Sequence, residues 1–362
     1  MVKVALICPF DVDRLSGTPV RAHLTAQVLH RCCRLRVYAT GGSAPYVEVV
    51  PRAWVTRFRW DRFTRYVTRA LYRFQPDVIH LIQPAGILAA LAYRLSAPRV
   101  KIILEIHGLT RYEMTQARPW SCTTFQFLEW LSLRSADRII AMSHSQKDLI
   151  GQEFGDHLAT KIDVIWGPVE VRSIPYVPPP VGPKFIVGYL GNGSFWQGID
   201  LILYAVARLS HHPDIHFLLG GIQPELYRID LPQPLPLNLT VLPTVPRGEE
   251  GAFLSQCHAL ISSRVRGPVS QSQYPYKLSY YLAAGRPIIA SAVSDQALIL
   301  QQGQCGLIFD PDQPETLVQR ILELYHMPAE QRQHLGEQGR RFAENHLAAD
   351  HLGPKLLAIY QA

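Results

Sequence analysis

Short apolar runs alternate with helix-like stretches along this chain, and the alternation happens twice. In the first half the runs are "VKVALICP", "LRVYATG", "DVIHLI", "KIILEIHG", "RIIAMS" and "KIDVIWG", interleaved with stretches such as "RAHLTAQVLHRC" and "AGILAALAYRL". In the second they are "FIVGYLG", "IHFLLGG", "LTVLPTV", "HALISS", "RPIIAS" and "CGLIFD", interleaved with "DLILYAVARL" and "PETLVQRILELY". Such alternation means βαβ units and parallel sheets. Between the halves, residues 167–184 ("GPVEVRSIPYVPPPVGPK") hold six of the 28 prolines. That stretch suits neither helix nor sheet interior and reads as a linker. The expectation is an α/β chain of two doubly wound domains across a hinge. Ligands bind such sheets beyond the C-terminal strand ends, so the cleft between the halves is the default site.

At 362 residues and 48% hydrophobic content, the chain can bury two cores. Cys8, Cys32, Cys33, Cys122, Cys257 and Cys305 form no CxxC pair and no regular spacing, so neither a zinc site nor a disulfide framework is indicated and a reducing cytosol fits. "MVKVALICPF" enters a strand at once, without the basic start and long apolar core of a signal peptide. No window offers the roughly 20 apolar residues of a membrane span. Net charge +7 favours acidic partners without choosing among them.

The strand-end loops carry the chemistry. In "YPYKLSYYLAAGRPIIA", residues 274–290, Pro275 suits a first helical position, and Leu278, Tyr281 and Leu282 make an apolar stripe. Gly285 is placed to cap the helix, and Pro287 forbids its continuation. Lys277 sits in the first turn, where the helix dipole disfavours a cation unless an anion lies beside it. An ordinary solvated lysine is the competing reading. "GYLGNGSFWQGIDLI" places Gly188, Gly191, Gly193 and Gly198 between strand and helix, a backbone able to approach a phosphate. Trp196 stands where a dinucleotide fingerprint needs its third glycine, so NAD is disfavoured. "DRLSGTPVRAHL" gives Gly17 a similar place after the first strand, and "EIHGL" puts Glu105 and His107 on one strand face.

In order, these parts resemble the GT-B glycosyltransferases of the retaining family 4 (glycosyl transferases group 1). "ADRIIAMSHSQKDLI" is similar to that family's serine-bearing strand and helix, "VGYLGNGSFWQGIDLILYAVARL" to its phosphate loop, and "YKLSYYLAAGRPIIAS" to its nucleotide helix. The resemblance implies two Rossmann-like domains: an acceptor-side domain over 1–168, a linker over 169–184 and a nucleotide-sugar domain over 185–345. A C-terminal helix over 346–362 is a candidate to pack back on the first domain. It also implies hexosyl transfer from a nucleoside-diphosphate sugar to a glycan or lipid-linked acceptor, with retention and without a metal or other cofactor. His107 and Lys277 would take catalytic roles, with His107 facing the donor sugar or its phosphate. Gly17, Ser143, Gly191, Asn192, Gly193, Gln197, Arg264, Arg266, Tyr274, Tyr276, Leu278 and Tyr280 would bind the donor.

The departures fall on charged positions. Two glutamates common in the family correspond to Ser272 and Tyr280 here, and an Arg and a Lys correspond to Tyr189 and Gln197. A phenol cannot replace an ionised bidentate acceptor of ribose hydroxyls. Arg264 and Arg266 could restore the missing cations. A catalytically weak or inactive binding or scaffold subunit therefore stands as the alternative.

Residues 54–74, "WVTRFRWDRFTRYVTRALYRF", suggest the acceptor side. As a helix from about Arg59, they set Arg59, Arg62, Arg65, Arg69 and Arg73 on one face and Trp60, Phe63, Val67, Leu71 and Phe74 on another. With Trp54 and Trp60 as flanking indoles, the stripe is expected either to be solvated or to dock on an anionic membrane surface. No nucleic-acid motif accompanies it. Placement is then cytoplasmic, with the inner face of the plasma membrane as the candidate surface.

Overall fold

The computed structural model describes residues 1–14, 17–56, 59–114, 119–246 and 248–362. Leu15 and Ser16 of the first glycine loop, and Arg57 and Phe58 of the basic stretch, lie outside them. The chain divides into two compact units: Met1–Pro168 with Ser272–Tyr274 and Ala349–Ala362, and Val169–Gln271 with Pro275–Ala348.

The first unit carries seven parallel strands: β1 (Lys3–Ile7), β2 (Arg34–Ala39), β3 (Val47–Val49), β4 (Val78–Ile82), β5 (Lys101–Ile106), β6 (Arg138–Ala141) and β7 (Ile162–Val164). Their order is β3-β2-β1-β4-β5-β6-β7. Period-two alternation sends successive side chains to opposite faces. Ala5 and Ile7 join the core beneath the helices Trp60–Phe74 and Ile87–Arg94, whereas Val4 and Leu6 join the core beneath Thr18–Cys32 and Leu352–Gln361. Only β3 has no counterpart among the apolar runs, being a short edge strand without a fully buried residue.

The second unit has six parallel strands: β8 (Phe185–Leu190), β9 (Ile215–Gly220), β10 (Leu239–Leu242), β11 (Ala259–Ser262), β12 (Ile288–Ser291) and β13 (Gly306–Phe309). They run in the order β10-β9-β8-β11-β12-β13. Each sheet reverses direction of growth once, between β1 and β4 in the first and between β8 and β11 in the second. Helices on either side of such a reversal leave on opposite faces, which opens a crevice at the C-terminal strand ends.

One expectation shifts. The proline-rich stretch from Val169 is part of the second unit rather than a connector outside both. Prolines supply carbonyls without N–H groups, and buried Arg286 answers them, donating to Val177 O at 2.8 Å and Pro178 O at 3.4 Å while also holding Cys257 O at 2.7 Å. His258 Nε2 meets Pro180 O at 3.0 Å, and Arg340 reaches Ile174 O. At the other end, the first unit takes the chain back from Ala349.

Candidate functional site

In the second unit, the crevice between β8 and β11 is bordered by the loops that follow these strands. β8 runs into Gly191, where a Cβ would fall 2.9 Å from the Lys277 Nζ. A turn at Phe195–Gln197 then leads to Gly198, whose left-handed φ of 64° starts the helix Ile199–Arg208. Tyr189, fully buried near the end of β8, donates its hydroxyl hydrogen to Asn192 O at 2.7 Å and so pins the loop from below. The Tyr281 hydroxyl accepts from Leu190 N at 2.7 Å and donates to Leu190 O at 3.1 Å, closing the strand end.

Lys277 opens the helix Lys277–Ala284, two residues later than Pro275, which instead forms the entering turn through Leu278 N to Pro275 O at 2.8 Å. Its side chain does not run out to water. Nζ lies 3.8 Å from the Tyr189 ring centroid, is buried, and has no hydrogen-bond partner among the described residues. Arg264, two residues beyond β11, is 2% exposed and turns inward as well. Burial, and then the positive charge of Arg264, push the Lys277 ammonium well below the usual lysine range. Burial likewise brings Arg264 down to about 10, with Tyr189 working against the shift. Two buried cations thus lie beside a glycine loop, one of them over the Tyr189 ring.

Other expected donor residues part company here. Arg266 is half exposed and ion-paired with Asp310 at 3.1 Å and Asp312 at 2.6 Å, so its charge is already answered. Leu278 is fully buried on the core side of its helix. Tyr274 is buried and, with Ser272 and Gln273, belongs to the first unit. Tyr276 and Tyr280 lie one helical turn apart with ring centroids at 6.2 Å. Burial and then Glu250 push the Tyr280 phenol up, so it stays neutral. The Asn192 side chain accepts from Ser194 N at 3.1 Å, and a Cβ on Gly193 would strike Ile229 at 2.3 Å; both hold the loop's shape. The Gln197 carbonyl accepts from Ser263 Oγ at 2.7 Å, while its side-chain Oε1 is buried with no partner among the described residues.

In the first unit, Ser143 caps the helix His144–Phe154 by accepting from Gln146 N. Gly17 caps Thr18–Cys32 with φ 61° and open space around it. His107, just past β5, places Nε2 2.6 Å from Glu105 Oε1. Glu105 is fully buried and receives Arg21 Nε at 3.0 Å and Nη2 at 3.1 Å. Burial raises this carboxyl, but Arg21, then the hydrogen bond from His107 and the facing His80 ring outweigh it and hold the group well below the usual carboxylate range. Arg21, His80 and Tyr360 escape a reading by motif, because no spacing in the sequence ties any of them to Glu105.

On the helix Trp60–Phe74, Phe63, Val67, Ala70 and Leu71 are buried while its four arginines, and Arg59 at its N-cap, stand outward. Arg65 pairs with Asp61, and Arg73 with Glu48; Arg59, Arg62 and Arg69 make no ion pair among the described residues. Trp54 and Trp60 pack on the core instead of projecting, Trp60 edge-on to Phe125 at 5.7 Å. Exposed aromatics are Tyr72 of the same helix and Phe127 and Trp130 of Pro119–Ser135. No helix among the described residues is long and apolar enough to cross a membrane, and no group of three or more His, Cys, Asp or Glu is gathered there as metal ligands would be.

Residues 175–342 match the family described as "Glycosyl transferases group 1", and residues 15–173 match "Glycosyltransferase Family 4". A curated relative, spore coat protein SA of Bacillus subtilis, is 33% identical over 95 residues, a stretch that spans 25% of this chain and 25% of that protein. Among solved structures, Anabaena HepE in complex with UDP and glucose aligns over 100% of both chains with a TM-score of 0.77 and 13% identity. Sucrose-phosphate synthase from Thermosynechococcus elongatus aligns over 100% of this chain and 98% of its own, at 0.74 and 14%. The catalytic domain of starch synthase IV from Arabidopsis thaliana, bound to ADP and acarbose, aligns over 100% and 99%, at 0.73 and 12%. With both halves matched in sequence and the fold shared end to end, the chain belongs to the family 4-like, group 1 glycosyltransferases of GT-B fold.

Proposed function

We propose that this chain transfers a hexose from a nucleoside-diphosphate sugar to a glycan or lipid-linked acceptor, with retention at the anomeric carbon and without a metal. The observation that carries this reading is the Lys277 ammonium, buried without a hydrogen-bond partner among the described residues and beside a second buried cation. An unanswered buried charge costs several kcal/mol, and a diphosphate against the Gly191 loop would answer that of Lys277. The C1–O bond to the diphosphate breaks as the acceptor oxygen bonds C1 on the same face, and the acceptor's proton passes to the departing phosphate oxygen. Lys277 and Arg264 stabilise the charge that grows on that oxygen, in a crevice where water does not screen it. HepE was solved with UDP and glucose, and the starch synthase with ADP, which makes uridine and adenosine diphosphate sugars the first donors to try.

The basic helix supports an acceptor presented at an anionic membrane, the inner face of the plasma membrane being the proposed surface. A binding or scaffold subunit remains the second reading, favoured by neutral Tyr280 and Ser272 at positions where relatives carry carboxylates. Release of nucleoside diphosphate from UDP-, GDP-, ADP- and dTDP-hexoses separates the two. Turnover with one donor, unaffected by a chelator, abolished by Lys277→Ala and yielding a product of unchanged anomeric configuration, is expected. Silence with every donor would favour the subunit.

A further inference from the structure

Between β2, β3 and the last turn of the helix Trp60–Phe74, the first unit opens a cavity of about 500 Å³ whose lining includes Arg34, Arg36, Tyr38, Glu48, Ala70 and Arg73. We propose that this cavity is an anion site for the phosphomonoester of a lipid headgroup, on the membrane surface where the basic helix docks. The inference rests on that membrane reading and gives it a specific ligand.

The strand period sets three of these groups in a row. Arg34, Arg36 and Tyr38 are two apart in β2, so their side chains leave the sheet on one face. Tyr38 joins the core beneath the helix, whereas Leu35, Val37 and Ala39 fill the core on the opposite face. Its hydroxyl, buried, donates to Ala70 O at 3.4 Å and fixes the inner wall. Burial and then Glu48 push the Tyr38 phenol up, while Arg36 and Arg73 work against the shift, so one carboxylate and two guanidiniums converge on that hydroxyl. Glu48 is already committed. Its Oε1 accepts from the Tyr66 hydroxyl at 2.7 Å and from Arg73 Nη2 at 3.1 Å. Arg36 gives Nη1 to Pro45 O at 3.4 Å, and neither Arg34 nor Arg36 makes an ion pair among the described residues. With Arg73 answered by Glu48, two positive charges remain at the cavity.

That surplus selects the ligand. Guanidinium forks bind phosphate oxygens bidentately. A phosphomonoester brings three acceptor oxygens and about two negative charges near neutral pH, which matches two unanswered arginines. The phosphodiester within a headgroup carries a single charge and fewer free oxygens. Arg73 belongs both to the outward row of arginines and to the cavity lining, so a phosphate held here lies on the surface that faces the bilayer.

The test is co-sedimentation of the full chain with phosphatidylcholine vesicles carrying either phosphatidate or phosphatidylglycerol, adjusted to equal zeta potential. Wild type is expected to bind the phosphatidate vesicles about tenfold more tightly. The double variant Arg34→Gln, Arg36→Gln should lose that preference, while its binding to phosphatidylglycerol vesicles changes less than about threefold. Both arginines are exposed, so its melting temperature should match that of wild type. Replacing Arg59, Arg62 and Arg69 by Gln should instead weaken binding to both vesicles and keep the preference. Equal binding of wild type to the two vesicles, or a double variant that keeps the preference, overturns the proposal. If wild type ignores both vesicles, the membrane reading falls and the lipid assignment with it. Calorimetric titration with glycerol 3-phosphate then judges the anion site alone: binding that the double variant loses assigns it to a soluble phosphomonoester, and no binding removes it.

Discussion

Lys277 shows how a single side chain can be a stability liability that the fold retains. Its ammonium has no hydrogen-bond partner among the described residues and sits near a second cation. Lys277→Met keeps the length and removes the charge, so the free protein should melt a few degrees higher. The same change should weaken nucleoside diphosphate binding by about tenfold or more, since a charge-assisted contact is lost. The pH sign follows from the depressed folded value. Between that value and the ordinary lysine range near 10.4 the unfolded chain holds more protons, so wild-type stability gains from Lys277 as pH rises through the window. That contribution should vanish in Lys277→Met. Calorimetry against pH, with and without ADP or UDP, measures both effects. A lower melting point with unchanged binding would make the ammonium a structural group. That the lysine and the glycine loop both follow strand ends was readable from their places in the sequence. That Tyr189 would lie beneath the ammonium was not, because nothing local ties position 189 to position 277.

Among the elements, the helix Trp60–Phe74 was legible in both its extent and its two faces, since a 3.6-residue period needs no tertiary information. Which of its arginines are free depends on neighbours. Asp61 is on the same helix, but Glu48 comes from the adjoining β3 strand. Arg59, Arg62 and Arg69 are then the residues to change together. At about 1 kcal/mol each near an anionic surface, their replacement by Gln should weaken binding to phosphatidylserine vesicles on the order of a hundredfold. Binding of the wild type should fall as salt shortens the Debye length to about 8 Å. Liposome co-sedimentation is the measurement, and wild-type protein that ignores such vesicles at low salt would leave the stripe merely solvated. The helix Lys277–Ala284 likewise ends where its residues say, at Gly285 with φ 66°. A Cβ there would lie 2.7 Å from the Tyr176 ring, a contact that only the fold reveals.

At the scale of the whole molecule, Arg286 ties distant parts of the second unit together. It bridges the carbonyls of Val177 and Pro178 to those of Ser255 and Cys257, at no exposure. Arg286→Met leaves several carbonyls without donors, at about 1–3 kcal/mol for each that water cannot reach. Urea unfolding should show a loss of about 3 kcal/mol or more, and limited proteolysis should open new cleavage within residues 175–183. A variant with wild-type stability and wild-type fragments would show that the proline-rich stretch holds itself. The alternation of apolar runs with helical stretches determined two parallel sheets, and the glycines marked the loop after β8, because strand period, helix period and turn chemistry are local properties of a chain. Tertiary structure alone decided that Arg264 is buried while Arg266 is paired with aspartates, that Arg21 and Tyr360 reach the surroundings of Glu105, and that the proline-rich stretch joins the second unit. Each depends on burial and on partners far apart in the chain, and only the folded packing brings those together.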